Sequence, residues 1–345
     1  MKSIFNFIKT KSFTVSLLVH LFFLVSSTYG MRLTLATAKK ISMVSTDNWE
    51  QQTVFEASSE IDSIAFDPEG KLLAISSGEK IIIVKTSSWK QETSLDAKHS
   101  VQSIAFSPNG KLLAAGTQGN TVIVWNTENW QQQKVLEAEE WVKLIAFSHN
   151  NNLLAAATDA DELIVWNTKN WQQQKVFADK QWIDLAFHPN KDLLAATTEE
   201  KKVIMWNTKS WQREKVLNTD SGAALVRFSP EEKPLAATTE KTKIIIWNAN
   251  NWQREKVLDT NSRATLVRFS PKGKLLAAST NNDKIIVWNT NNWEQEKMLA
   301  FKNILLDAMA WKPLKKLESL GSKMRKPEQR TEKSLKSLIK IRTLK

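Results

Sequence analysis

The 345-residue chain has no cysteine, one tyrosine and four histidines. Without cysteine it can form no disulfide, no thiolate metal site, no cysteine nucleophile and no cysteine-linked lipid anchor. Outside the first 30 residues the histidines are His99, His149 and His188, each isolated in a loop or turn near a strand end. His-x-x-x-His, Gly-x-Ser-x-Gly, Gly-x-x-x-x-Gly-Lys and Gly-x-Gly-x-x-Gly are all missing, so the spacings that build zinc, acyl-transfer and phosphate sites are not there. The acidic run Asp159-Ala-Asp161-Glu162 reads as hairpin-turn chemistry rather than a calcium loop. The sequence therefore predicts a protein that is not an enzyme and has no catalytic, metal or cofactor site. The apolar stretch Phe13–Val25 is 13 residues, short of the ~20 that span a bilayer as a helix.

Charge of one sign is missing from the ends rather than from the body. Residues 1–30 carry Lys2, Lys9 and Lys11 and no acid; residues 312–345 carry twelve Lys or Arg against three Glu. Residues 31–311 hold 33 basic and 33 acidic residues, so the formal charge of +12 sits in the termini. A basic start, a short apolar run and the small-residue stretch Ser26-Ser-Thr-Tyr-Gly30 have the order of a secretory signal. Export to the periplasm or medium is the expectation for 1–30 as a cleaved signal peptide. An uncleaved anchor, or Met31 as the true start of a cytoplasmic protein, is the alternative. In the tail, Leu335, Leu338, Ile339 and Leu344 roughly follow helical spacing between Lys336, Lys340, Arg342 and Lys345. That pattern is open to a part-helical segment for an anionic membrane or nucleic acid, or to a solvated extension.

What the chain has in excess is tryptophan, fifteen residues. Trp49, Trp89, Trp130, Trp171, Trp211, Trp252 and Trp293 recur every 40 or 41 positions, the period of four-stranded propeller blades. The unit 101–138 divides into four runs of β-formers: Val101–Phe106, Leu112–Thr117, Thr121–Trp125 and Trp130–Leu136. Ser-Pro-Asn-Gly, Gln-Gly-Asn and Asn-Thr-Glu-Asn separate them, as in successive antiparallel hairpins. In five copies a third-strand Trp (125, 166, 206, 247, 288) and the following Trp flank a four-residue loop. Residues so placed are expected to face each other across the strand pair, as ring pairs worth ~0.5–1.5 kcal/mol each beyond burial.

The repeat resembles the WD-repeat propeller family over residues 31–311. The resemblance rests on Phe-Ser-Pro at 106–108, 228–230 and 269–271, on Leu-Leu-Ala-Ala at 112–115, 153–156, 193–196 and 275–278, and on the third-strand tryptophans. Trp-Asn replaces the family's Trp-Asp in all five Trp-bearing copies. The Gly-His before the first strand is missing, and Ser45 and Lys85 replace the Trp in the remaining two. The implied fold is an all-β, seven-bladed propeller of four-stranded antiparallel blades. Six complete blades begin near residues 61, 101, 142, 182, 223 and 264. Leu33–Thr37, Ile41–Ser45 and Trp49–Ala57 are left at one end and Leu305–Trp311 at the other, so pairing the terminal strands closes the seventh blade. Pro313–Ser322 aligns without gaps on Pro271–Thr280 and competes with Leu33–Thr37 for the second-strand place; the N-terminal segment is preferred because its neighbours continue the blade.

The loops that join each fourth strand to the next blade vary while the strands repeat. They supply the candidate partner-binding residues His99, Glu139, Glu140, Trp141, Lys180, Gln181, Trp182 and Arg263. Trp141 stands where siblings hold Ser, Gly or Arg, and Trp182 where they hold Val, Ile or Ala. Such departures read either as interface anchors or as plugs of the channel mouth. The resemblance implies protein or peptide partners on this face. The expected protein is a monomeric scaffold, with a tail acting on a membrane or nucleic acid as the rival reading.

Overall fold

The structure, a computed structural model, describes residues 31–178, 181–231, 233–300 and 306–312. The leader, Lys180, the loop at 301–305 and the tail with its rival strand at 313–322 lie outside the described residues. Among the described residues, twenty-eight strands form seven four-stranded antiparallel sheets. Among the described residues there is no helix.

Six blades are continuous in sequence, running from blade 1 (63–96) through blades 2 (101–137), 3 (142–177), 4 (182–218) and 5 (223–259) to blade 6 (264–300). The seventh is a seam. Its strands run in the order Leu306–Lys312, Arg32–Thr37, Lys40–Ser45, Gln51–Glu56. Leu33 pairs with Trp311 and Leu35 with Met309, so the N-terminal segment fills the second-strand place. The first strand of every blade is innermost, and each touches the first strand of the next until the ring is complete. Closure leaves no blade without its full set of strands, and so removes the unpaired inner edge that recruits other chains.

Burial follows strand position. Third strands are runs of β-branched residues, such as Ile81–Val84 and Ile244–Ile246, and are almost wholly buried. Second strands pair Leu with Ala, and Ala114, Ala115, Ala155 and Ala156 are fully covered. The small side chains let neighbouring sheets approach. Fourth strands face water along most of their length, as in Gln132–Glu137. The core is not one mass but seven apolar clusters, each drawn from two adjacent blades. Stability therefore resides in blade-to-blade interfaces.

The turn between first and second strands explains the Phe-Ser-Pro motif. The Ser107, Ser148 and Ser270 hydroxyls accept the N–H of the residue five positions on, at 2.9–3.0 Å. Asp67 does the same for Leu72 at 2.6 Å. His188, at the same place in blade 4, is buried, and its Nδ1 accepts the N–H groups of Asn190 and Lys191 at 3.1 and 3.0 Å.

The tryptophan pairs differ from expectation. The residue opposite Trp125 is Gln132, not Trp130, and the same offset holds at Trp166–Gln173, Trp206–Arg213, Trp247–Arg254 and Trp288–Gln295. A register shift at each third-strand Trp puts the second Trp inside the turn. All seven turn tryptophans have φ of 56–60°, and each donates its N–H to the carbonyl four residues back at 2.7–2.8 Å. The Asn of Trp-Asn holds this turn, with Oδ1 accepting the N–H two residues on at 2.8–3.0 Å. That bond gives Trp-Asn a structural role of its own. Among the described residues no ring contact joins the two members of a pair. Instead both rings face the preceding blade: Trp125 and Trp130 pack in the cluster shared with blade 1, and Trp288 and Trp293 in the one shared with blade 5. The Trp293 indole N–H also reaches Glu255 of blade 5 at 3.4 Å. These residues are staples between blades, not within hairpins.

A left-handed backbone costs a residue with a side chain ~1–2 kcal/mol, which glycine avoids. Trp130→Gly is therefore expected to be the milder variant, and Trp130→Ala, which loses the ring and keeps the strain, about 1 kcal/mol worse. Urea unfolding midpoints of the two variants check the order.

Candidate interaction face

The ring has two faces built from different loops. One carries the first-to-second-strand turns and the Asn-x-x-Asn-Trp turns. The other carries the connections between blades and the second-to-third-strand turns, knitted together by backbone bonds such as Ala138 N–H to Asn120 O at 2.8 Å and Asp159 N–H to Trp141 O at 2.9 Å. The seven candidate positions among the described residues belong to this second face.

The structure separates Trp141 from Trp182. Trp141 is 46% exposed, and Met298 on an outer strand is the other large exposed hydrophobic among the described residues. Trp182 is 3% exposed, donates its indole N–H to Phe177 O at 3.3 Å, and meets Trp206 edge-on at 5.5 Å. Alternation explains the difference. Trp182 holds the place of Val101, Val142, Ala223 and Ala264, all inward and nearly inaccessible, whereas Trp141 precedes that place by one residue and points out. Trp182 is thus interior packing between blades 3 and 4.

Around Trp141 the charge is negative. Glu139 and Glu140 are exposed beside it in sequence, and Asp159 is tied to its carbonyl. Lys143 pairs with Asp159 at 2.8 Å. Partial burial, then the nearby Glu139 charge, push the Glu162 carboxyl above its ordinary value. The other candidates are dispersed. The exposed His99 lies directly against Gly119 in the blade 2 turn. Gln181 turns its amide towards the Glu199 carboxylate. Arg263 is exposed two blades further round, its carbonyl accepting the N–H of Asn281 at 3.0 Å. Lys180 lies outside the described residues. Among the described residues no group of three His, Asp or Glu is arranged to hold a metal ion.

Sequence reasoning missed a buried charge cluster on the innermost strands. Asp184 of blade 4 is fully buried and accepts hydrogen bonds from the Arg227 guanidinium and, at 2.8 Å, from Val226 N–H, both of blade 5. Arg268 of blade 6 is 2% exposed and donates to Val267 O at 2.7 Å. Burial raises the Asp184 pKa, opposed mainly by Arg227, while burial and the Arg227 charge hold Arg268 well below the ordinary arginine value. The signal was in the repeat: Arg227 and Arg268 occupy columns that hold Ala65, Ala105, Ala146 and Ala186 elsewhere. On the opposite face, a groove of about 420 Å3 between blades 4 and 5 is lined by Lys191, Asp192, Lys209, Glu214 and Trp252 among others, with Lys209 and Asp192 paired at 2.7 Å.

Seven four-stranded blades closed by their terminal strands define a β-propeller. Residues 64–149 match the family described as anaphase-promoting complex subunit 4 WD40 domain, and residues 171–207 match WD domain, G-beta repeat. In these two stretches the chain is similar to WD40 propellers, and the ring has their fold. Two solved structures are similar in fold. A chain from the crystal structure of a mitotic checkpoint complex is 16% identical with a TM-score of 0.69, covering 75% of this chain and 84% of that one. The Cps50 (Swd1) β-propeller domain of Myceliophteria thermophila is 19% identical with a TM-score of 0.63, covering 69% and 85%. No curated protein matches the sequence. WD40 propellers are in general protein-interaction scaffolds and typically not catalytic.

Proposed function

We propose that this chain is an exported, non-enzymatic scaffold that holds a protein partner through the face bearing Trp141. The observation that carries the reading is the indole itself. In a ring whose other tryptophans in the described blades are buried or partly buried, Trp141 leaves nearly half its surface in water. Exposed Trp at the centre of a polar rim is the usual form of an interface hot spot. Export rests on the order of charge and apolarity in residues 1–30. The runner-up, action of the basic tail on a membrane or nucleic acid, rests on charge alone.

A photoreactive phenylalanine analogue placed at 141 is expected to cross-link a protein partner in the native source, and the same analogue at Met298 is not. Trp141→Ala is expected to weaken capture of that partner tenfold or more, the size of a ~2 kcal/mol hot spot. Equal capture by wild type and variant would sink the reading. Cell fractionation tests export: the protein is expected in the periplasm or medium, shortened by the 1–30 segment, and recovery from the cytoplasm overturns it.

A further inference from the structure

We infer that the partner segment seated on Trp141 is basic, a stretch of Lys and Arg residues; this rests on the reading of Trp141 as the docking anchor. The body of the protein has equal numbers of acids and bases, yet the acids around Trp141 are gathered into one sector. The loop into blade 3 contributes Glu139 and Glu140, where sibling loops read Lys98-His99-Ser100 and Asn261-Ser-Arg263. The blade 3 turn contributes Asp159, Asp161 and Glu162, where blade 2 has Gln118-Gly119-Asn120. These two elements are bonded to each other through Trp141 O and Asp159 N–H, so the five carboxylates and the indole share one corner of the face.

Among the described residues, Lys143 pairs with Asp159 in this corner at 2.8 Å. Glu162 and Glu139 repel each other strongly enough to raise the Glu162 pKa, second only to the effect of burial. Placing like charges together beside an exposed aromatic surface disfavours the free state and favours any arrangement that brings a cation in. An Arg or Lys side chain meets both features at once. Its charged head pairs with carboxylates, and its planar or methylene part covers the indole face. An acidic or neutral segment would leave the repulsion in place.

The net charge of the chain sharpens the test. The body is neutral and the excess of basic residues lies in the termini, so affinity for a cationic peptide points to a local negative patch. The probe is a fluorescein-labelled twelve-residue peptide with alternating Arg and Gly, read by anisotropy against the full chain, with the Glu-for-Arg peptide as comparison. Wild type is expected to bind the Arg peptide, with affinity falling as NaCl rises. Glu139→Lys with Glu140→Lys is expected to weaken it at least tenfold, and Trp141→Ala by about fivefold. Glu139 and Glu140 are exposed, so an unchanged melting temperature will show that the double variant is folded. No binding, or equal binding by wild type and the double variant, overturns the inference. If the double variant also captures the native partner undiminished while Trp141→Ala does not, the docking reading survives and only the basic character of the partner falls. Loss of neither interaction with Trp141→Ala removes both.

Discussion

Asp184→Ala is expected to destabilise the propeller by about 3–5 kcal/mol, because it removes the carboxylate that the buried Arg227 guanidinium pairs with. Asp184 also accepts Val226 N–H, so the variant breaks the tie between blades 4 and 5 in two places. The sibling blades show what a neutral solution looks like. Blade 3 holds Leu144 where blade 4 holds Asp184, and blade 4 holds Ala186 where blade 5 holds Arg227. Asp184→Leu combined with Arg227→Ala is therefore expected to recover most of the loss, since both members of the pair go and the apolar residues of the repeat replace them. Arg268 loses an attractive and a repulsive neighbour together, and the repulsive one, Arg227, is the larger influence on it. Guanidinium unfolding of the two single variants and the double gives the coupling energy directly. Additive losses would show that the charges do not act as a pair.

Opening the seam is expected to cost the folded ring altogether. Arg32–Thr37 is hydrogen-bonded on both sides, to Lys40–Ser45 and to Leu306–Lys312. Leu35→Pro removes a donor from the middle of that strand and places a ring where a sheet tolerates none, a penalty on the order of 3 kcal/mol or more. A chain ended at residue 305 lacks the partner strand and exposes the edge of Arg32–Thr37. Both variants are expected to elute from size-exclusion chromatography as larger species than the wild type, because an unpaired inner edge is a template for another chain. Normal behaviour of Leu35→Pro would mean that another segment, such as Pro313–Ser322, can take the strand's place.

Most of the architecture was legible in the sequence, and the physics says why. A period of 40 or 41 residues with four β-runs per period admits few folds other than a propeller, and leftover strands at both ends imply closure. The N-terminal strand's place was readable from its neighbours, which continue the blade. What failed was local. The tryptophan pairing was inferred from loop length, but a register shift and a left-handed turn residue change which side chains oppose each other, and no spacing reveals a bulge. Trp182 was open to correction from the sequence, because its column in every complete sibling blade holds a small or apolar inward residue. Asp184, Arg227 and Arg268 were not legible as a group, because these charges replace small or apolar residues inside the repeated strand pattern, and only the folded ring brings three blades' positions together. Trp141 was singled out by its departure from its siblings; its exposure and the coupling of Glu162 to Glu139 came only from the folded ring.

The seam also imposes an order in time. The first-made strands of the propeller belong to the same blade as the last-made one, so synthesis of residues 32–300 yields six whole blades and a seventh that waits. Until residue 312 has emerged, the oldest part of the fold keeps an open flank, and every long-range contact of that blade must span nearly the whole chain. Contacts so distant in sequence are the slowest to form. The last strand pairing that synthesis permits is thus that of Arg32–Thr37 with Leu306–Lys312, and damage to either strand disables the same blade.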